Sequence, residues 1–395
     1  MSSLQGVRVV EVGQFYFGPY CTMLLARLGA EVIKVEAPEG DPYRRLVDAY
    51  GDGSSVQFQL VNAGKKVIRL DLKQPAGRDV LMRLVRDSDV LVQNLAPGAM
   101  DRFGLGWETL HAADPRLIMA SGTGFGSFGP YSGEPAMDLT IQARTAIMST
   151  TGFDDGPPVR TGPSVVDFLA ASHLVAGILA ALYHRERTGD GQHVEVALQD
   201  AVIPSLSSNI AGFVNSRGTM PERTGNRNGG LAVTPYNAYE TDDGWIAILC
   251  PTDAHWRRLC GLMNDPEADA ERFARLPDRN AGMDEVDAIV GRWTRTRSKA
   301  ELREALRAAN IPAAEVVTLA ELMDDPHVEA RGVLRKMHDR QGDWLAFGSP
   351  LLLSESPMVE PVRAGRLGAD TDAVLSDRLG LPAGEIAALR STGAI

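Results

Sequence analysis

The sequence predicts an α/β protein built on a parallel sheet, and three observations lead there. The first ~120 residues alternate short β-branched runs with helical segments, the signature of βαβ units. Apolar residues make up 44% and charged residues 23% of the 395, which excludes a disordered or fibrous chain. Glycine and proline interrupt the pattern where the early strands end, the side on which such sheets bind ligands. At about 150 residues per domain, the length suggests two or three domains.

The elements follow in order. Val7–Val12 is a β-branched strand; Gly18 and Pro19 break it, and a helix runs from Cys21 to near Gly29. Glu31–Val35 and Lys66–Leu72 are strands, Pro75–Asp87 has helical spacing, and Asp89–Val92 and Leu117–Ala120 are short buried strands. A long apolar helix opens at Asp167 and closes at Thr188–Gly189; a strand follows at His193–Ala197, then a helix over 199–217. The polar segment 216–230 lacks apolar periodicity and reads as a linker. Beyond it, Tyr236–Tyr239 and Trp245–Cys250 form a hairpin around Asp242–Gly244, with helices near 253–263, 283–296 and 299–309. A second linker is expected at 326–345, and short helices near 371–379 and 384–390 close the chain. These boundaries separate three expected stretches, 1–215, 231–325 and 346–395.

Composition excludes several functions. The net charge of −11 disfavours a phosphate-backbone partner, so no nucleic-acid role is expected. Cys21, Cys250 and Cys260 are too few for a disulfide framework or a thiolate zinc site, and the seven histidines show no ligand pair, so no metal is expected. The start lacks a cationic segment followed by an apolar core, and the longest apolar stretch, Leu174–Tyr183, is half the ~20 residues of a membrane span. A soluble cytoplasmic protein without a membrane partner is expected.

Motifs narrow the chemistry. GFGSFG (124–129) matches the dinucleotide fingerprint, but Pro130, Gly133 and Pro135 block the helix that a pyrophosphate would face. There is no GxxxxGK[ST] loop and no GxSxG elbow. Asp167 opens the apolar helix. As an N-cap it needs no function; in a cleft, a partly desolvated carboxylate is a nucleophile for an acyl group. Asp138 reads as an N-cap of a helix over 138–148, and Asp154 and Asp155 as turn acids.

Ordered blocks along nearly the whole chain resemble the class III CoA-transferases, the superfamily of formyl-CoA transferase, carnitine CoA-transferase and α-methylacyl-CoA racemase. They include LQGVRVVEVGQFYFGPYCTMLLARLGAEVIKVEAP, NAGKKVIRLDLKQPAGRD, DVLVQNLAPGAMDRFGL, PRLIMASGTGFGSFGPY and GPSVVDFLAASHLVAGILAALYHRERTGDGQHVEVALQDA. The resemblance implies a Rossmann-like large domain formed by both chain ends, a smaller α+β domain, and a homodimer of two interlocked rings. It implies a CoA thioester as substrate, a carboxylic acid as acceptor and no tightly bound cofactor.

The resemblance also places Asp167 on the family's catalytic aspartate, which forms an anhydride and then an aspartyl-CoA thioester. CoA contacts fall on Tyr16, Phe17, Leu70–Lys73, Asn94, Leu95, Ala96, Arg102 and Ala136–Asp138, with Met137 in that last block. Gly229 and Gly230 match a mobile glycine loop. Ala37 stands where some members have a phosphate-binding Arg, and Met137 where racemases have a catalytic His. A racemase needs acid and base on opposite faces of a carbon. Transfer of CoA to a small or dicarboxylic acid is therefore the expected function; α-methylacyl-CoA racemase or epimerase activity and a non-catalytic acyl-CoA-binding role are the alternatives.

Overall fold

The structure, a computed structural model, describes residues 1–395. In chain order the first half comprises β1 (Arg8–Val12), α1 (Phe17–Arg27), β2 (Glu31–Glu36), α2 (Val56–Asn62), β3 (Lys66–Arg69), α3 (Pro75–Arg86), β4 (Val90–Gln93), α4 (Ala99–Arg102), α5 (Trp107–Ala113) and β5 (Ile118–Thr123). Next come α6 (Asp138–Arg144), α7 (Ile147–Thr150), α8 (Val165–Thr188), β6 (His193–Ala197), α9 (Leu198–Val202) and α10 (Ser207–Asn215). The remainder is β7 (Tyr236–Glu240), β8 (Trp245–Leu249), α11 (Asp253–Met263), α12 (Leu276–Ala281), α13 (Met283–Thr294), α14 (Lys299–Ala308), β9 (Ala313–Glu315), α15 (Leu319–Met323), α16 (Pro326–Arg331), the hairpin β10 (Leu334–Asp339) and β11 (Gly342–Phe347), α17 (Thr371–Leu379) and α18 (Ala383–Ser391).

Two compact units divide the chain. The larger takes residues 1–141, 163–202 and 323–395; the smaller takes 142–162 and 203–322. In the larger, six parallel strands lie in the order β3-β2-β1-β4-β5-β6. Residues of β1, β2, β4 and β5 are buried on both faces, which explains their apolar runs, interrupted inside β1 and β2 only by Glu11 and Lys34. Helices α1 and α8 cover one face. On the other, α3 (Val80, Leu81, Leu84) meets α17 (Val374, Leu375) and α18 (Ile386) over Val10, Ile33 and Leu91. Both chain ends therefore build this unit. Chain order reverses between β1 and β4, and the crevice at their carboxyl ends is where such sheets bind ligands.

In the smaller unit an antiparallel sheet β7-β8-β9 packs Tyr239, Ile246 and Ile248 against Trp256, Val286, Ile289 and Leu302 of α11, α13 and α14.

Several details depart from the sequence reading. Helix α1 begins at Phe17, before Gly18 and Pro19, because a proline in the first turn removes only an N–H that has no helical partner anyway. The helix expected over 199–217 is broken by a 3-10 turn at Ile203–Leu206, around Pro204. Residues 326–345, expected as a linker, hold α16 and most of the β10–β11 hairpin within the larger unit. Residues 142–162 and 203–215 group with the smaller unit. Finally, α8 is 24 residues long with a mean hydropathy of 2.0 over its best 18-residue window, so by length and composition it is long and apolar enough to cross a membrane, unlike the short stretch the sequence suggested. Its buried side, from Ala170 and Leu174 to Ile178 and Ala181, serves as a core layer over β5 and β6.

Candidate active site

Asp167 is the third residue of α8, not its N-cap. Ser164 occupies the cap position and its side chain caps nothing. Instead Asp138, the first residue of α6, reaches across and accepts a hydrogen bond of 3.0 Å from the Val166 N–H. Asp138 thus caps α8 from outside. This leaves Asp167 without a capping duty, and no donor of the chain bonds its carboxylate. Burial first, and the Asp138 charge second, push the Asp167 pKa from 3.8 up to about 7. A first-turn carboxylate is favoured by the helix dipole by at most about 1 kcal/mol at exposed sites. The displacement runs the other way and is the larger effect, so desolvation prevails.

The dryness has a visible cause. The Tyr16 ring lies 5.0 Å from that of Phe168, the residue after Asp167, and 4.6 Å from that of Tyr43. Tyr20 meets Phe168 at 4.7 Å, and Phe15 meets Tyr43 edge-on at 5.3 Å. Burial, followed by the neighbouring Tyr16 hydroxyl and then the Asp167 and Asp41 charges, raises the Tyr43 phenol well above its ordinary range, so it stays a neutral donor. Tyr43, in the 3-10 turn Pro42–Arg45, had no signal in a sequence read for nucleophiles.

Beneath this wall is a second feature the motif search missed. Glu11, wholly buried in β1, accepts from Lys34 Nζ (2.8 Å), Lys65 Nζ (2.8 Å) and Thr22 Oγ1 (2.5 Å). Burial raises its pKa, but the two ammonium groups more than offset this and hold it down at about 2. Lys34 also donates to Gly13 O (2.9 Å) and pairs with Asp41 Oδ2 (3.0 Å); Lys65 also donates to Pro19 O (2.8 Å). Charged residues inside apolar strands, RVVEV and EVIKVE, were the available signal, since such groups are buried only when paired.

The expected CoA contacts separate into several environments. Leu70, Lys73 and Leu95 line one cavity with Gly13, Gln14 and Ala37, beyond the carboxyl ends of β1, β2 and β3. Leu95 and Ala96 also border a second cavity along β4, β5 and β6. Asn94 is committed elsewhere: its Oδ1 accepts from the Gln14 N–H and its Nδ2 donates to Gln14 O, fixing the loop before Tyr16. Phe17 is buried, its ring so close to Gly122 that a Cβ there would sit 2.6 Å from it. Arg102 is exposed and donates to Pro97 O at 3.1 Å. Met137 is 53% exposed, and Ala136 packs on Gly124 where a Cβ would come within 2.2 Å. That close approach, with φ of +88° at Gly126 and +96° at Gly129, accounts for GFGSFG as a loop; no helix opens until Asp138.

Gly229 and Gly230 belong to the smaller unit. There a Cβ on Gly229 would fall 2.7 Å from Asn209, and one on Gly230 2.9 Å from Ser208 O, so the loop lies tight against α10. Arg227, beside it, is held by Asp284 and Asp287 and offers no free cation to a carboxylate.

The sequence model "CoA-transferase family III" matches residues 4–371. A formyl-CoA:oxalate CoA-transferase of Streptomyces coelicolor is 37% identical over 100% of this chain and 99% of its own. A succinyl-CoA:mesaconate CoA-transferase of Haloarcula marismortui is 37% identical over 90% of this chain and 91% of its own. A crystal structure of a CAIB/BAIF family protein from Brucella suis superposes with a TM-score of 0.84 at 33% identity, over 95% of this chain and 99% of that one. With the family's sequence pattern spanning both ends of the sheet and the helix that carries Asp167, the chain belongs to CoA-transferase family III.

Proposed function

We propose that this protein moves CoA from a short-chain acyl-CoA to a free small or dicarboxylic acid, with the Asp167 carboxylate as nucleophile. The observation that carries the reading is a half-buried carboxylate, free of hydrogen bonds from the chain, behind aromatic rings at the first turn of α8. The acid class is supported by the substrates that name the relatives, formate and oxalate in one and succinate and mesaconate in the other.

The steps balance without water, metal or nucleotide. An Asp167 oxygen adds to the donor's thioester carbon, the C–S bond breaks, and CoA leaves as thiolate from a mixed anhydride. The thiolate adds to the Asp167 carbonyl of that anhydride and releases the donor acid, giving an aspartyl-CoA thioester. The acceptor carboxylate displaces CoA again to form a second anhydride, and the thiolate returns to the acceptor's carbonyl, freeing Asp167. Water would hydrolyse either anhydride, so a dry site is required.

In this reading the adenosine end of CoA occupies the cavity of Leu70, Lys73 and Leu95, with Arg102 near a phosphate. Ala136, Met137 and Asp138 flank the reacting end, and Gly229 and Gly230 match the family's glycine loop. Ala37 leaves that cavity without an Arg, so Lys73 bears more of the phosphate binding. The functional molecule is a homodimer. The test is CoA exchange from succinyl-CoA to a panel of carboxylic acids. Asp167→Asn is expected to lower it at least 10³-fold, in the range found when a nucleophile is removed, and hydroxylamine should label Asp167 in the wild type. Retained exchange in Asp167→Asn refutes the nucleophile. Deuterium uptake at the α-carbon without exchange would instead point to racemase chemistry.

A further inference from the structure

Lys34 has no place in the chemistry above, yet it is a wholly buried cation close to it. Its ammonium meets three groups from two parts of the chain: Glu11 of β1 at 2.8 Å, the carbonyl of Gly13 just after it at 2.9 Å, and Asp41 at 3.0 Å. The last two are the roots of the loops that wall Asp167. From Gly13 the chain passes through Gln14, whose backbone Asn94 holds at both ends, and Phe15, which takes a left-handed φ of +62°, to Tyr16. A non-glycine residue is strained there and persists only where its surroundings enforce it. From Asp41 the chain passes directly to Tyr43, whose N–H donates 2.9 Å to Asp41 Oδ1. The two rings then meet at 4.6 Å.

We propose that Lys34 is a positioning residue for the transfer reaction: its buried ammonium ties the Tyr16 loop to the Tyr43 loop, and the two rings so held keep water from the Asp167 carboxylate. The inference rests on Asp167 being the nucleophile. The groups that face the start of α8 are few. Tyr16 and Tyr20 approach from α1, Tyr43 from the 42–45 turn, and Asp138 from α6. From the sheet, β6 turns Val194 toward the middle of α8, at Gly177, and Val196 to the same side. Asp138 is the one charge that acts on Asp167, so with it unchanged, hydration is the remaining control.

The test uses the full-length enzyme with succinyl-CoA and the best acceptor from the acid panel. Two quantities are read: the acidic limb of kcat/KM against pH, and thiol release without acceptor. In that side reaction water adds to the acyl carbon of the anhydride and the C–O bond to Asp167 breaks. The products are the free acid, CoA thiol and the regenerated carboxylate. Lys34→Met leaves Glu11 with a single ammonium and can fail to fold, so Asp41→Asn and Tyr43→Ala decide. Asp41→Asn removes the ion pair but keeps an acceptor for the Tyr43 N–H. Both variants should lower the acidic limb by at least one pH unit and raise the ratio of hydrolysis to transfer at least tenfold, while Tyr43→Phe, which keeps the ring, stays within twofold of wild type. Limb and ratio unchanged in Asp41→Asn and Tyr43→Ala overturn the proposal whatever the loss in kcat, because a merely structural role lowers kcat alone. A shift in Tyr43→Phe equal to that in Tyr43→Ala overturns it as well, since the hydroxyl and not the wall would then matter. Transfer by Asp167→Asn would overturn the underlying mechanism separately.

Discussion

At Asp167, nucleophile strength and protein stability pull in opposite directions. An ionised carboxylate is needed to attack, and burial disfavours it, so kcat/KM should rise with pH through an apparent pKa of about 7. Asp138→Asn removes the like charge but keeps an oxygen for the Val166 N–H. The limb should then fall by about half a unit to one unit, less than the whole displacement because burial is the larger cause. The same shift has a sign in stability. Because the folded pKa lies above the unfolded one, this group's contribution is full below about pH 4 and is lost as pH rises through about 7. Asp167→Asn should therefore melt higher than wild type at pH 8, by on the order of 2 kcal/mol after screening, and equal it near pH 4. A thermal melt series at the two pH values checks this. Residue type and chain position were enough to single out Asp167 in the sequence. Its duty was not legible, because whether a carboxylate caps its own helix depends on Asp138, 29 positions earlier, supplying the cap instead.

At the scale of elements, β1 and β2 were readable because burial on both faces makes them largely β-branched, and β3, with Lys66 exposed, showed as alternation. The charges inside them were visible but had no assigned partners, since Glu11, Lys34 and Lys65 meet only after β1, β2 and the α2–β3 turn come together. The same distance in sequence hid Tyr43, which reaches Tyr16 across a loop. Glu11→Gln would leave two ammonium groups buried without their carboxylate and should cost about 3–5 kcal/mol in urea unfolding. The triad also sets an acid limit. With the Glu11 pKa held at about 2 against 4.5 when unfolded, its contribution is present above pH 4.5 and is lost as pH falls from there to about 2. Wild type should lose stability over that window, and Glu11→Gln should show a flatter acid limb.

For the whole molecule, periodicity carries the parallel sheet, while the return of the chain ends to it was expected only from the family resemblance. Segments α17 and α18 are short, and their few apolar positions (Val374, Leu375, Ile386) acquire meaning only when they close the layer over α3. What the single chain leaves uncovered bears on its assembly. In the larger unit Leu351, Leu352 and Leu353 are 41–54% exposed along a stretch without helix or strand. In the smaller unit Phe213 and Val214 of α10 are more than 60% exposed. Consecutive exposed leucines on a backbone with no sheet partner are unfavourable in water and suit a surface covered by another chain. The proposed homodimer has a mass of about 85 kDa, twice the chain's 42.5 kDa. Light scattering behind size exclusion should give that mass at micromolar concentration. Leu352→Asp with Leu353→Asp places two charges where the partner is expected and should move the protein toward 42.5 kDa while leaving its far-UV circular dichroism intact. A monomer in the wild type, or an undisturbed dimer in the double variant, would show that these leucines are not the covered surface.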